Sequence, residues 1–257
     1  MQEIKNIPNN SINLIVTSPP YNVGKDYGNY DDNKSEKDYY EFIDKVFFEI
    51  YRVLGEGGRI CINIPVMGNN PTIKKQEKYV FYLNKYISLL EKNKLKLREV
   101  LTWVKAYTES DETFCGGNTA WGSWLSPSCP YCRSFTEFII VCHKNNPKRI
   151  CDGETDITKK EFLKYTRNVW FFPSESDRTH PAPFPEELPK RCIKLYSFVG
   201  DTIFDPFMGS GTTGVVALKL NRKFVGIEIN SQFFKHAEKR IDKWQHQTKL
   251  SKTREGL

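Results

Sequence analysis

Asp201-Thr-Ile-Phe-Asp-Pro-Phe-Met-Gly-Ser-Gly-Thr-Thr213 decides the fold. It reads as a strand, a tight glycine loop and a helix that continues through Val215, Val216, Leu218 and Leu220. Gly209 and Gly211 let the backbone turn sharply and approach a ligand at the carboxyl end of a strand, where α/β sheets bind cofactors. The next strand, Lys223 to Ile229, carries Glu228 near its end. That acid stands 17 residues past Gly211, a spacing suited to accepting hydrogen bonds from ribose hydroxyls.

Two cofactor chemistries compete for this loop. Gly209-Ser-Gly-Thr-Thr-Gly214 matches the dinucleotide fingerprint, which admits an NAD-dependent oxidoreductase. Against it, Asp205 at the strand end would repel a pyrophosphate, and Pro206-Phe207 separates this loop from the usual form. A cofactor with a cationic amino-acid end suits Asp205 better. S-adenosylmethionine has that end, a sulfonium, and a ribose for Glu228.

Far upstream, Thr17-Ser-Pro-Pro-Tyr-Asn22 follows the apolar run Ile12 to Val16, which suits a buried strand. Each proline lacks an N–H and fixes its φ, and the residue before a proline is held extended, so Ser18, Pro19 and Pro20 form a stiff segment with carbonyls free to accept. Tyr21 adds an aromatic face. A planar amino group on a nucleobase needs such acceptors for its two N–H bonds before it can act as a nucleophile, and an extruded base needs a ring to stack on. The Ser18 hydroxyl and the Pro19 carbonyl are the candidate acceptors. A strand followed by a Pro-Pro turn and a core tyrosine is the plainer alternative.

Residues 23–37 are polar and glycine-bearing and read as a mobile loop beside this segment. Helical spacing from Asp38 to Leu54, a stop at Gly55-Glu-Gly-Gly58 and a strand from Arg59 to Ile64 complete a βαβ unit, hence a parallel sheet. Tyr79 to Leu97 reads as a lysine-rich amphipathic helix, and Glu99 to Lys105 and Phe135 to His143 as strands. Residues 106–133, with Trp121 and Trp124, form a long loop of the functional kind. Residues 144–168 read as a small basic insertion, Arg167 to Phe172 as a lead into Pro173, and Glu186 to Ser197 as a helix.

The bulk numbers agree with a globular chain. It has 257 residues, 39% hydrophobic and 27% charged, with a net charge of +7 and a pI near 8.9. That balance suits a polyanionic partner without requiring one. No apolar run is long enough to span a bilayer and the N-terminus lacks a signal-peptide layout, so the expected location is the cytoplasm. Seven cysteines without regular spacing fit reduced thiols. Cys129-Pro-Tyr-Cys132 lacks the second pair of ligands a structural zinc requires, and no metal is expected.

Taken together, these motifs resemble the DNA amino-methyltransferases, which modify exocyclic nitrogens. Ser18-Pro-Pro-Tyr21 matches the catalytic motif Asp/Asn/Ser-Pro-Pro-Tyr/Phe, and Asp205 to Thr212 matches the cofactor motif Asp-Pro-Phe-x-Gly-Ser-Gly-Thr. His180-Pro-Ala-Pro-Phe-Pro185, then a helix and Gly200-Asp201, is similar to the segment completing the methionine pocket. Catalytic motif before cofactor motif is the order of the β group. The resemblance covers about residues 17–65 and 133–240.

It implies one S-adenosylmethionine-dependent methyltransferase domain over residues 1–257, with a doubly wound, mainly parallel Rossmann-like α/β sheet and an antiparallel hairpin. Residues 66–97, 106–133 and 144–168 become candidate target-recognition insertions. The implied catalytic residues are Ser18, Pro19, Pro20 and Tyr21. The implied cofactor residues are His180, Pro183, Phe184, Asp205, Pro206, Phe207, Gly209, Ser210, Gly211, Thr212 and Glu228. Ser-Pro-Pro-Tyr mostly accompanies N4-cytosine methylation, and Trp121-Gly-Ser-Trp124 with Ser126-Pro127 and Arg133 also resembles N4-cytosine members.

The implied substrate is double-stranded DNA with a flipped target base, and the implied context is protection against a cognate restriction endonuclease, with a homodimer allowed. N6-adenine methylation and an inactive DNA-binding relative are the alternatives. Relatives usually carry a further strand before the equivalent of Met1-Gln-Glu-Ile4, ending in an acid that contacts adenosine. Either the natural start lies upstream or the pocket is incomplete.

Overall fold

In the computed structural model the described residues are 2–22, 24, 31–66, 82–106, 123–130, 135–175 and 184–254. Seven helices and seven strands follow among them: α1 Gln2–Lys5, β1 Ile12–Thr17, α2 Glu36–Val53, β2 Leu54–Pro65, α3 Tyr82–Lys92, β3 Leu95–Val104, β4 Thr136–Lys144, α4 Lys159–Tyr165, β5 Val169–Phe171, α5 Glu187–Tyr196, β6 Thr202–Asp205, α6 Thr212–Lys219, β7 Lys223–Gly226 and α7 Ser231–Arg254. The strands form one sheet in the order β5-β3-β4-β2-β1-β6-β7. β4 runs antiparallel to both β2 and β3, and every other pairing is parallel. This is the mainly parallel α/β sheet with an antiparallel element that the sequence predicts.

Alternation along β1 and β2 builds two cores. Ile15, Ile60, Ile62 and Ile64 point to one face, where α2 buries Ile43, Phe47 and Ile50 and α3 buries Tyr86 and Leu90. Leu14, Val16 and Cys61 point to the other, against Leu188, Cys192 and Ile193 of α5 and Val216 and Ala217 of α6. Ile12 shares the face of Ile15 because the β1–β2 register shifts between Ile12 and Leu14. Side chains otherwise change face at each residue of a strand.

Helices on both faces with β1 and β6 adjacent at the centre create a topological switch point. From β1 the chain winds through α2 to β2 on one side, and from β6 through α6 to β7 on the other. The two connections diverge and leave a crevice at the carboxyl ends of β1 and β6, where open α/β sheets bind ligands. Thr17 and Asp205 are the last residues of those strands.

Several expectations are corrected. Gly55 to Gly58 does not separate helix from strand: β2 begins at Leu54, directly after α2. Gly57 has φ +66° and a Cβ there would stand 2.3 Å from the Lys148 carbonyl oxygen, so these glycines admit a crossing backbone. The helix expected to reach Leu97 stops at Lys92, because Lys94 takes φ 63° and reverses the chain into β3. α7 is an element the sequence reading did not mark.

Residues 144–168 run along the amino ends of the strands: Arg149 pairs with Asp201 at 2.8 Å, and Val199 N–H donates to the Glu154 carbonyl at 2.9 Å. They lie at the edge opposite Thr17 and Asp205. Of the other two stretches marked for recognition, residues 67–81, 107–122 and 131–134 lie outside the described residues.

Candidate active site

The two motifs identified in the sequence are welded at the switch point. Thr17 Oγ1 donates to Asp205 Oδ1 at 2.6 Å, Thr213 Oγ1 donates to Asp205 Oδ2 at 2.8 Å, and the Phe207 N–H donates to Oδ1 at 3.1 Å. One buried carboxylate thus ties the end of β1, the end of β6 and the start of α6. Asp205 is 0% exposed, and burial, with Glu228 nearby, pushes its pKa up to about 6 against the pull of those donors. Both its oxygens accept hydrogen bonds from within the protein, and the side chain is fully buried. Its charge therefore acts on a ligand through space, beneath the glycine loop, where low polarity strengthens it.

That loop is held by Glu228 and by Arg240. Gly209 N–H donates to Glu228 Oε2 at 2.8 Å, and Asn230 N–H donates to Glu228 Oε1 at 2.8 Å. Arg240 of α7 donates to the Ser210 carbonyl at 2.7 Å. Gly209 and Gly211 adopt φ 53° and 79°, in the left-handed region that favours glycine. Each Glu228 oxygen takes one backbone N–H and keeps lone pairs for further donors. Glu228 is half-buried, so a vicinal diol could reach it. Pro206, Ser210 and Thr212 are buried and Phe207 is half-buried, its ring edge-on to Phe42 at 6.0 Å. Phe184 packs against the α5–α6 core, while His180 and Pro183 lie outside the described residues.

The Ser-Pro-Pro-Tyr segment leaves the end of β1, the strand beside β6, and is gripped by phenols. Tyr39 of α2 donates to the Pro20 carbonyl at 2.9 Å, and Tyr82 of α3 donates to the Tyr21 carbonyl at 2.7 Å. Burial pushes the Tyr82 pKa up to about 12 and that of Tyr39 well up also, so both remain donors. Of the two proline carbonyls, Pro20 is occupied; among the described residues nothing donates to Pro19. Asn22, at φ 56°, closes a small ring with Lys34 by two bonds of 2.7 and 2.9 Å, and its N–H donates to Asp32. The loop expected to be mobile is thus anchored over 31–35; residues 23 and 25–30 lie outside the described residues.

Side chains that the sequence reading passed over complete the site. Asn63, near the end of β2, donates to Tyr21 Oη at 3.1 Å and to Glu137 Oε2 at 2.5 Å, and Glu137 pairs with Lys105. The signal was a polar residue in Ile60-Cys-Ile-Asn-Ile64, on the side where its strand neighbours meet the core. Of the tryptophan segment, Trp124 is exposed and Ser123 Oγ donates to the Ser126 carbonyl at 2.7 Å. Trp121 and Arg133 lie outside the described residues.

Comparison with known proteins matches this arrangement. A family model described as DNA methylase, covering N6 and N4 methylases, matches residues 12–239. The Type II methyltransferase M.MjaVI of Methanocaldococcus jannaschii is 36% identical over 172 residues, 67% of this chain and 82% of that protein. DNA adenine methyltransferase YhdJ of Escherichia coli is 30% identical over 96% of this chain and 81% of its own length. Among solved structures, a putative DNA modification methylase of Thermus thermophilus in complex with S-adenosyl-L-methionine aligns with a TM-score of 0.70 at 23% identity, over 95% of this chain and 90% of its own. The cytosine-N4-specific PvuII DNA methyltransferase aligns with a TM-score of 0.70 at 18% identity, over 92% and 82%. A buried carboxylate joining a Ser-Pro-Pro-Tyr turn to a glycine loop, within a chain matched almost end to end, places this protein in the N6/N4 DNA methylase family.

Proposed function

We propose that this DNA amino-methyltransferase transfers a methyl group from S-adenosylmethionine to the N4 nitrogen of a cytosine in a short duplex sequence. The observation that carries the reading is the 2.6 Å bond from Thr17 to Asp205, which puts the acceptor-rich Ser18-Pro19 turn beside the cofactor loop. The cofactor supplies an electrophilic methyl on a sulfonium, and Glu228 with the loop from Asp205 to Thr212 would hold it.

The protein's part is orientation. A flipped base stacks on Tyr21 while Ser18 Oγ and the Pro19 carbonyl accept the two amino N–H bonds, drawing the nitrogen lone pair out of conjugation. The N–C bond forms as the S–C bond breaks, and the extra amino proton leaves to water. A neutral hydroxyl is too weak a base to remove it beforehand.

Ser18 in place of an acid favours cytosine. Adenine is the second reading, favoured by the 30% identity to a protein named as an adenine methyltransferase. Digestion of DNA treated with the protein and labelled cofactor, with mass identification of the nucleosides, tests both. N4-methylcytosine is expected; N6-methyladenine would keep the mechanism and change the base. Label in neither, with cofactor bound, would favour an inactive DNA-binding relative. The same reading makes the partner duplex DNA, with a restriction endonuclease of the same specificity as its counterpart, and allows a homodimer. No helix among the described residues is long and apolar enough to cross a membrane.

A further inference from the structure

Serine carries a proton as well as lone pairs, and this separates it from an ionised aspartate at the same place. To accept an amino N–H, Ser18 must send its own proton elsewhere. Ser18 Oγ lies 2.5 Å from Tyr21 Oη and 3.4 Å from the Asn63 carbonyl oxygen. Tyr21 Oη lies 3.2 Å from the same carbonyl and receives the Asn63 amide at 3.1 Å.

The direction of that amide is fixed from behind. Glu137, paired with Lys105, is an acceptor, so the Asn63 nitrogen must face it, and the second hydrogen of that nitrogen then points to Tyr21. Tyr21 Oη, receiving that hydrogen bond, has the Asn63 backbone carbonyl at 3.2 Å as an acceptor for its own proton. With that proton on the Asn63 carbonyl, the Ser18 hydroxyl points its own proton at Tyr21 Oη, 2.5 Å away, and keeps its lone pairs open to the base. Asn63 is 2% exposed, and among the described residues its Oδ1 has no hydrogen-bond partner. A buried orphan acceptor costs stability and calls for a reason; fixing the amide's direction supplies one.

We propose that the Tyr21 hydroxyl, with Asn63 and Glu137 as positioning residues behind it, directs the Ser18 proton away from the target base and makes Ser18 an acceptor. Tyr21 then has two separable functions, stacking through its ring and proton direction through its hydroxyl. The inference rests on the amino-methyltransferase reading above.

Single-turnover methylation of a duplex carrying the target base tests it with Tyr21→Phe, which keeps the ring and removes the hydroxyl. Loss of one neutral hydrogen bond predicts a methyl-transfer step slower by about tenfold. Fluorescence of 2-aminopurine at the target position and calorimetric cofactor affinity should stay at wild-type values. Ser18→Ala has no proton to direct, so adding Tyr21→Phe to it should change the rate by less than about twofold. Asn63→Leu should follow the same pattern, its folding checked by thermal unfolding.

A Tyr21→Phe rate equal to wild type, or losses that multiply in the double variant, would overturn the proposal while leaving methyl transfer intact. A wild-type protein that binds cofactor and methylates no base would overturn the underlying reading and the proposal with it.

Discussion

Asp205 is the residue on which the two halves of the site depend. Its carboxyl, held above the usual range by burial, keeps its proton to about pH 6 in the folded chain but loses it near pH 4 in the unfolded one. Between those values the folded state binds more protons, so Asp205 makes stability fall as pH rises, by on the order of 3 kcal/mol in all. Asp205→Asn cannot lose a proton. Chemical denaturation from pH 4 to 7 should therefore show a smaller fall for the variant than for wild type; parallel curves would mean that the carboxyl titrates normally. Motif spacing revealed that this acid mattered, but it could not reveal that Thr17 and Thr213 donate to it, because those partners are 188 and 8 residues away. Asn63, Glu137 and Lys105 stayed hidden for the same reason: Asn63 and Glu137 are ordinary in their own strands, Lys105 directly follows β3, and each acquires a role only through pairing of β2, β3 and β4.

Elements were legible where local chemistry and tertiary use agree. β1, α2, β6 and α6 could be read from short apolar runs, helical spacing and a glycine turn, and they are the elements that place the site. β2 and α3 were misjudged at their ends, where glycines serve a neighbouring backbone and where Leu95 and Leu97 fit either period. α7 escaped notice although Asn230 caps it, accepting from the N–H groups of Gln232 and Phe233 at 2.8 and 3.2 Å. Its contribution is to buttress the glycine loop. At Gly211, with φ +79°, an added Cβ would lie 2.9 Å from the Ala237 Cβ of α7. Gly211→Ala should destabilise the chain by about 1–3 kcal/mol through strain and overpacking. Adding Ala237→Gly should relieve the clash and leave the φ cost. Denaturant midpoints for the single and double variants check this; an unchanged midpoint for Gly211→Ala would mean that α7 does not press on the loop.

For the whole molecule, a doubly wound sheet with the strand of the Ser-Pro-Pro-Tyr motif and the strand of the glycine loop side by side makes the order of the two motifs along the chain irrelevant to their meeting. A motif at residue 18 and a motif at residue 205 end up in one crevice because β1 and β6 pair, Leu14 with Ile203 and Ile15 with Phe204. The proposed function divides labour across that pairing, the β1 turn acting on the base and the β6 loop on the cofactor. Tyr21→Ala tests it most directly, with methyl transfer to DNA and calorimetric binding of S-adenosylmethionine measured on the same preparation. Loss of the stacking ring should lower methylation by about a hundredfold, the scale of one base–aromatic stack, while cofactor affinity stays within about threefold of wild type. Equal losses in both would contradict the account, since they would place Tyr21 in the cofactor pocket rather than against the base.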